Sequence, residues 1–399
     1  MAMSERRRET ELLHATFAHA GMEAPVGEPL TPPLVLTTSF HFPTLAAGAA
    51  VARGDQAGYV YTRGGNPTVR AVEQTVSRLE GAEASLVVAS GMAATTTTLL
   101  TLLKPGDHVV VGVSQYGGTY GFLHGVATRM GVTFTAVDAT DVQALEAALT
   151  PQTRLVFVET VSNPMMTVPP LDAIGRLCRA RGLDLVVDNT FASGVLFRPL
   201  EHGATVVVNS ATKYMNGHGD TVIGTISGGT AVVNQIRDTL NQLGGIANPF
   251  AAYMMWRGMA TLHARMTVHS QSALAVARAM ADMPGVAHVF YPGLDSHPQH
   301  ESVATHFTRG MAGGMMSLDL APETDIDRFV DHLELFHTAV SLGDTTSLIE
   351  QPVALTHRKL TEEEQASMGL SPRILRLSIG LEAPEDLIGD LRQALSEAL

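Results

Sequence analysis

Three short segments carry residue types that do chemistry when held together. Ser90-Gly91-Met92 stands between an apolar run, Leu86–Ala89, and a helical pattern that begins at Ala93. A strand, a glycine turn and a helix start aim free N–H groups and the positive end of the helix dipole at one spot, which makes an anion site. In Val186-Val187-Asp188-Asn189-Thr190 an acid ends an apolar strand, at the edge where parallel sheets hold ligands. A carboxylate buried there needs a cationic partner, and a protonated ring nitrogen would serve. Ser210-Ala211-Thr212-Lys213-Tyr214 directly follows the run Thr205–Val208. A partly desolvated lysine amine forms Schiff bases. Ser210 and Thr212 beside it could share the anion of the Gly91 turn.

Each segment alone has a plainer reading: an ordinary turn, a capping or salt-bridging acid, a solvated lysine. Together they are a phosphate cradle, an acid for a pyridinium nitrogen and an amine for an aldehyde. Those are the requirements of pyridoxal 5′-phosphate (PLP). Their order suits one parallel sheet.

The elements that must position them follow from apolar patterning. Short Val-rich runs at Leu86–Ala89, His108–Val113, Val132–Val137, Leu155–Val158, Leu183–Val187, Thr205–Val208 and Val222–Ile226 read as strands buried on both faces. Helical candidates such as Asp141–Leu149 and Leu171–Arg181 lie between them, so the expected fold is α/β, a mainly parallel central sheet with helices on both faces. Asn66-Pro67 caps and opens a helix whose apolar positions are Val69, Val72, Val76 and Leu79, and Gly81 stops it. Pro and Gly punctuate residues 1–60, which reads as an extended arm. Beyond residue 250 a long helical stretch, Ala251–Met283, leads into candidates at Gly314–Leu320, Ile326–Phe336, Ile374–Ile379 and Pro384–Ala398. These predict a smaller α+β C-terminal domain. The expected division is an arm at 1–63, a PLP-binding domain at 64–255 and a C-terminal domain at 256–399.

Composition excludes other classes. Twenty-six basic residues against 39 acidic give a net charge of −13, a poor match to nucleic-acid phosphates. Arg6–Arg8 sit between Glu5 and Glu9 and make no basic tail. The charge-free stretch Ala84–Leu103 holds four consecutive threonines and reads as a strand, turn and helix rather than a membrane span. No secretory signal is expected, and one cysteine, Cys178, rules out an internal disulfide framework. A cytoplasmic location is the expectation. His297 and His300 carry no metal-site pattern, so no metal is expected.

The chain resembles the Cys/Met-metabolism family of PLP enzymes, in the fold-type I, aspartate aminotransferase-like group. The resemblance runs from Pro32-Pro33 to Leu387. It rests on Tyr61-Thr62-Arg63-Gly64-Gly65-Asn66-Pro67-Thr68, Ala89-Ser90-Gly91-Met92-Ala93, Tyr116-Gly117-Gly118-Thr119, Glu159-Thr160 with Asn163-Pro164, the Asp188 and Lys213 segments, Tyr291-Pro292-Gly293-Leu294, and Leu375 to Glu382. It implies that Lys213 holds the cofactor aldehyde and moves protons, and that Asp188 pairs with the ring nitrogen. Tyr116 would stack on the ring and protonate the leaving group. Gly91, Met92, Ser210 and Thr212 would bind phosphate, and Tyr61 and Arg63 would reach the phosphate of a neighbouring subunit. Arg376 would clamp the substrate α-carboxylate, aided by Asn163 and Ser341. The resemblance also implies a homo-oligomer, a homotetramer built as a dimer of dimers.

The implied reaction is α,γ-elimination by a carbon–sulfur lyase on methionine, homocysteine or cystathionine, giving 2-oxobutanoate, ammonia and a thiol. Val340, in Ala339–Asp344, offers an apolar wall as in methionine γ-lyases, where cystathionine-using relatives often carry Glu. Gly118 and the segment Asn241–Ile246 lean the other way. The alternative within the family is a γ-replacement synthase, either a cystathionine γ-synthase or an O-acylhomoserine sulfhydrylase. Outside catalysis the alternative is a PLP-fold binding protein.

Overall fold

The computed structural model describes residues 31–358 and 360–399. Arg6–Arg8 and the Pro25–Pro29 stretch lie outside the described residues. Helix Pro67–Glu80 begins as its sequence requires: Asn66 is extended, its Oδ1 accepts the Thr68 amide at 3.0 Å, and Pro67 takes the first position. Gly81, at φ 68°, ends it. The arm ties onto this helix start. Thr68 Oγ1 donates to Pro33 O and accepts the Val35 amide, and Asn66 Nδ2 donates to Val35 O. The arm is not extended throughout. Leu45–Arg53 is a helix capped by Thr44 and Gly54, with no residue of it buried. Its Ala-rich sequence has high helix propensity, which outweighs the surrounding Pro and Gly.

The large sheet holds β1 (Ala84–Val88), β2 (His108–Gly112), β3 (Thr133–Val137), β4 (Thr153–Glu159), β5 (Asp184–Asp188), β6 (Val206–Asn209) and β7 (Gly224–Gly228), in the order β1-β7-β6-β5-β4-β2-β3. Strands β2 to β6 pair in parallel, and β7 runs antiparallel between β1 and β6. Side chains alternate between two buried faces. Val87, Val110, Val156 and Val187 pack on one side, and Leu86, Val109, Phe157 and Val186 on the other. Strand β3 departs from the both-faces-buried expectation, because it lies at the sheet edge and exposes Thr133 and Thr135. The run expected from Val222 starts as a strand only at Gly224, and Val222 is exposed.

The stretch Ala251–Met283 is two helices, Pro249–Met259 and Leu262–Ala281. Arg265 accounts for the break. Its Nη2 donates to Gly258 O at 2.8 Å, taking a carbonyl that a continuous helix would use, and its Nη1 donates to Tyr214 O at 2.7 Å. The same guanidinium therefore ends one helix and pins the turn that follows Lys213.

A second sheet, order β10-β11-β12-β9-β8, holds β8 (Val286–Phe290), β9 (Met315–Leu320), β10 (His337–Thr338), β11 (Leu348–Glu350) and β12 (Ile374–Ser378). All its pairings are antiparallel except β10 with β11. The C-terminal helix Pro384–Ala398 buries Leu387, Leu391 and Leu395. The candidate element Ile326–Phe336 is a helix only as far as Asp331, and the Asp390 carboxylate takes the Glu334 and Leu335 amides at 2.9 Å each. The architecture is α/β, a mainly parallel sheet with a smaller α+β portion. Among the described residues no helix is long and apolar enough to cross a membrane. Cys178 is buried, and burial pushes its thiol up to about 12.

Glu80 ends the first long helix with no solvent exposure. Its carboxyl accepts Asn189 Nδ2 at 3.3 Å and Asn209 Nδ2 at 3.1 Å, so it ties the residue just past β5 to the last residue of β6. Burial pushes it up to about 7 against these bonds and the Arg198 charge. Its folded pKa lies above the ordinary 4.5, so its contribution to stability is fully present below that pH and is lost as pH rises through 7. The loss is about 3 kcal/mol at most. Glu80→Gln should flatten that part of the stability–pH curve. Melting of both proteins at pH 4.5 and 7.5 checks this, and an unchanged difference between the two pH values would contradict it.

Candidate active site

The parallel strands β4, β5 and β6 end on one side of the sheet, at Glu159, Asp188 and Asn209. The turn after β1 and the residues after β6 meet them there. A cavity of about 440 Å³ opens at this edge, lined also by Arg376 of the second sheet and by Val340, Ser341, Leu342 and Thr356 from loops that adjoin that sheet. Gly91, Met92, Tyr116, Asn163, Asp188, Ser210, Thr212, Lys213, Val340, Ser341 and Arg376 all line it. Tyr61 and Arg63 do not. They line a separate hollow with Val60, Gly64, Asn241 and Gln242, and the Arg63 guanidinium lies 5.8 Å from the Tyr61 ring centre.

The helix Gly91–Leu102 starts against the cavity. Ser90 Oγ accepts the Ala93 amide at 3.0 Å and Ser90 O the Ala94 amide, which leaves Gly91 and Met92 as the open amides of the first turn. Gly91 has to be glycine: a Cβ there would stand 2.6 Å from Ser210 Cβ and 2.8 Å from Ser210 Cα. Ser210 is held in turn, because its amide donates to Thr190 Oγ1 at 2.8 Å and that hydroxyl donates to Asp188 Oδ1 at 2.5 Å. Thr212 is less free than its neighbour. Its hydroxyl donates to Ile223 O at 3.0 Å and accepts the Ile223 amide at 2.8 Å, so its one proton is committed to the main chain.

Asp188 and Glu159 stand side by side in register at the ends of β5 and β4. The Thr190 amide and hydroxyl both donate to Asp188 Oδ1. Glu159 accepts the amides of Tyr116 at 2.7 Å and Asn163 at 2.9 Å, fixing both loops. Burial raises both carboxyls above the ordinary range, and for Glu159 the Asp188 charge adds to the rise. A cation against Asp188 would relieve this cost.

Lys213 Nζ donates to Ser341 Oγ at 2.8 Å. Burial pushes its amine down to about 8, the Arg376 charge adds to the fall, and Asp344 and Glu350 oppose it. A neutral, nucleophilic amine is therefore accessible near neutral pH. Ser341 sits at φ 108°, a costly conformation for a residue with a side chain. Arg376 Nη2 donates to its carbonyl at 3.0 Å and holds it there. Arg376 Nη1 donates to Asn163 Oδ1 at 3.1 Å and pairs with Glu350 at 2.8 Å.

Tyr116 is half-exposed over the cavity, and burial of the rest raises its phenol above the ordinary range, so it keeps its proton. Gly118 leaves room for the ring: a Cβ there would meet Tyr116 Cε1 at 2.4 Å and Met92 Sδ at 2.8 Å. His357, pushed down to about 4 by burial, bonds Gln115 O at 3.2 Å and braces the same loop.

This donor set fits pyridoxal phosphate. The open amides of Gly91 and Met92 with Ser210 suit a phosphate, Asp188 a ring nitrogen and Lys213 an aldehyde. The close approach of Gly91 to Ser210 is a cradle that any Cβ would fill. Sequence reasoning assigned no role to Glu350, Glu159, Thr190 or Thr356. Glu159 carried the same signal as Asp188, an acid ending an apolar strand. Glu350 carried none. Among the described residues no group of three or more acid, histidine or cysteine side chains could hold a metal.

Gly91→Ala should cost about 1–3 kcal/mol of stability through overpacking and should abolish anion binding at the helix start. Chemical denaturation and phosphate titration of this variant check both outcomes.

The family model described as Cys/Met metabolism PLP-dependent enzyme matches residues 14–396. The chain is 43% identical to the L-methionine gamma-lyase of Pseudomonas putida, over 92% of this chain and 93% of that one. It is 42% identical to the cystathionine gamma-lyase of Mus musculus, over 86% of this chain and 87% of that one. The crystal structure of the cystathionine gamma synthase of Xanthomonas oryzae pv. oryzae in complex with cystathionine superposes with a TM-score of 0.91, at 35% identity, over 100% of this chain and 99% of that one. With a lysine, an acid and a phosphate-sized cradle gathered at one sheet edge and these likenesses spanning nearly its whole length, the chain belongs to the family of Cys/Met metabolism PLP-dependent enzymes.

Proposed function

We propose that this chain is a PLP-dependent carbon–sulfur lyase that performs α,γ-elimination on methionine, homocysteine or cystathionine, releasing 2-oxobutanoate, ammonia and a thiol. The observation that carries it is the desolvated Lys213 amine, bonded to Ser341 and facing a cavity shared with Asp188 and Arg376. The methionine and cystathionine γ-lyases among its relatives support the reaction class.

PLP, when bound, supplies the electron sink that acidifies the substrate's Cα and Cβ protons. Gly91, Met92 and Ser210 would hold its phosphate, with Thr212 beside them, its own hydroxyl proton committed to Ile223 O. Asp188 would hold its ring nitrogen, and the Thr190 bonds to Oδ1 orient that carboxylate. Arg376 binds the substrate α-carboxylate, with Asn163 and the Ser341 carbonyl fixing its plane. Lys213 Nζ, freed by substrate, would take the Cα proton, give it up to the cofactor carbon that the amine had held, and, neutral again, take the Cβ proton, with Ser341 Oγ aiming it. Tyr116, which lines the cavity, would lie against the ring, and its protonated phenol would deliver a proton to the departing sulfur. Val340, with Leu342 and Phe191, forms an apolar wall where a methylthio group would lie.

A γ-replacement synthase is the second reading, favoured by the close superposition on a cystathionine γ-synthase. Turnover with methionine, homocysteine, cystathionine, and O-acetylhomoserine plus sulfide, run side by side with product analysis, decides. Release of 2-oxobutanoate from a sulfur amino acid supports the lyase; condensation products alone refute it. Lys213→Ala should lower turnover by at least about 10²–10⁴-fold, and near-normal turnover would remove Lys213 from the mechanism.

The assembly belongs to the same proposal, with residues 64–255 as the cofactor domain and 256–399 as the C-terminal domain. We infer a homotetramer built as a dimer of dimers, in which Tyr61 and Arg63 complete the phosphate site of the neighbouring subunit. That they line a hollow separate from their own chain's cavity supports this. A cytoplasmic location suits a chain with one buried cysteine. Mixing inactive Arg63→Ala and Lys213→Ala chains should restore activity, because one site of a hybrid then combines an intact lysine with an intact donated arginine. A mixture that stays inactive despite demonstrated subunit exchange contradicts the donation.

A further inference from the structure

Glu350 and Arg376 face each other in register across β11 and β12. Their side chains are 1% and 3% exposed, and Nη1 stands 2.8 Å from Oε1. Thr356 Oγ1 donates to the same Glu350 oxygen at 2.9 Å. Arg376 Nη1 is thus taken by Glu350 and Asn163, and Nη2 has one bond, to Ser341 O. Arg376 Nε is buried without a partner, and so is Glu350 Oε2. The guanidinium edge formed by Nε and Nη2 is the one left with N–H groups for a ligand carboxylate. An ion pair buried this deeply leaves little net positive charge at that edge.

We propose that Glu350 is a specificity-determining residue that keeps the Arg376 clamp charge-balanced, so that it accepts a carboxylate carried on a zwitterion and lets a simple monocarboxylate go. This rests on the reading of Arg376 as the carboxylate-binding side chain. A zwitterionic amino acid brings no net charge into the cavity. A deaminated product acid brings one negative charge to a cavity lined by Asp188 and Glu159, with Glu350 buried behind Arg376 and Asp344 near Lys213; among the lining residues Lys213 and Arg376 oppose it. An unbalanced guanidinium would retain that product; a balanced one loses less by releasing it.

The test uses two ligands of the same shape that cannot react with an aldehyde: glycine betaine, a zwitterion, and 3,3-dimethylbutyrate, its monoanionic isostere. Each is titrated calorimetrically into the holoenzyme of the wild type, Glu350→Gln and Arg376→Lys. Gln keeps an acceptor oxygen for Nη1 and Thr356 and removes only the charge. Wild type should prefer betaine, and Glu350→Gln should shift the affinity ratio toward the monoanion by about tenfold. An unchanged ratio in a Glu350→Gln protein that melts like the wild type overturns the proposal. So does a wild type that itself prefers 3,3-dimethylbutyrate, whether or not the variant folds. If Arg376→Lys binds both ligands as the wild type does, Arg376 is no clamp, and the functional reading beneath the proposal falls with it.

Discussion

The Arg376 guanidinium is the tie on which the site depends. It rises from a strand of the second sheet and bonds Asn163 from the loop after β4, the Ser341 carbonyl and the Glu350 carboxylate. A guanidinium cannot lose its proton at physiological pH, so its burial is tolerable only with such partners around it. Meeting that demand fixes the second sheet against the open edge of the first. The cavity is the space left between them.

The other charged groups obey the same constraint with less success. Asp188 and Glu159 are raised by burial, and Lys213 is lowered. Each is therefore poised to exchange a proton or accept an opposite charge, and each, unlike the equally buried Glu80, lines the cavity. Ser341 stores backbone strain at the point where Lys213 and Arg376 both hold it. Rigid neighbours make this possible: Thr190 braces Asp188 and Ser210, and Arg265 braces the turn after Lys213.

Much of this was legible in the chain, and what was not has a common cause. Helix Pro67–Glu80 could be read from both ends, because its cap, proline and terminal glycine are local signals. Lys213, Asp188 and the Gly91 turn announced themselves because each follows a short apolar strand. The antiparallel course of β7 was not visible, since strand direction is set by what precedes it in space rather than by its own residues. The break at Ala260–Thr261 depends on Arg265 reaching backward to a carbonyl that looks ordinary in sequence. Glu350 was silent for the same reason. Its partner lies on the next strand of its sheet, and no spacing rule links a glutamate two residues before a proline to a distant arginine. The arm residues Tyr61 and Arg63 stood out by motif alone, and one chain does not bring them to the cavity.

The insertion of β7 beside β1 has a consequence for how the molecule comes into being. Among the described strands β1 pairs with β7, Ala84 opposite Gly228, and the Ser85 and Ser227 hydroxyls bond across 142 positions of sequence. On a ribosome adding about 5–20 residues per second, β1 emerges many seconds before the strand it must join. The five strands β2 to β6 can assemble meanwhile, but Gly91 cannot settle against Ser210 until β7 has been made and threaded between β1 and β6. The Gly91–Ser210 contact is therefore among the last parts of the large sheet to close. A nascent chain stalled before residue 224 would display a nearly finished sheet with an unsheltered β6 edge, exposed to any other chain that offers a strand.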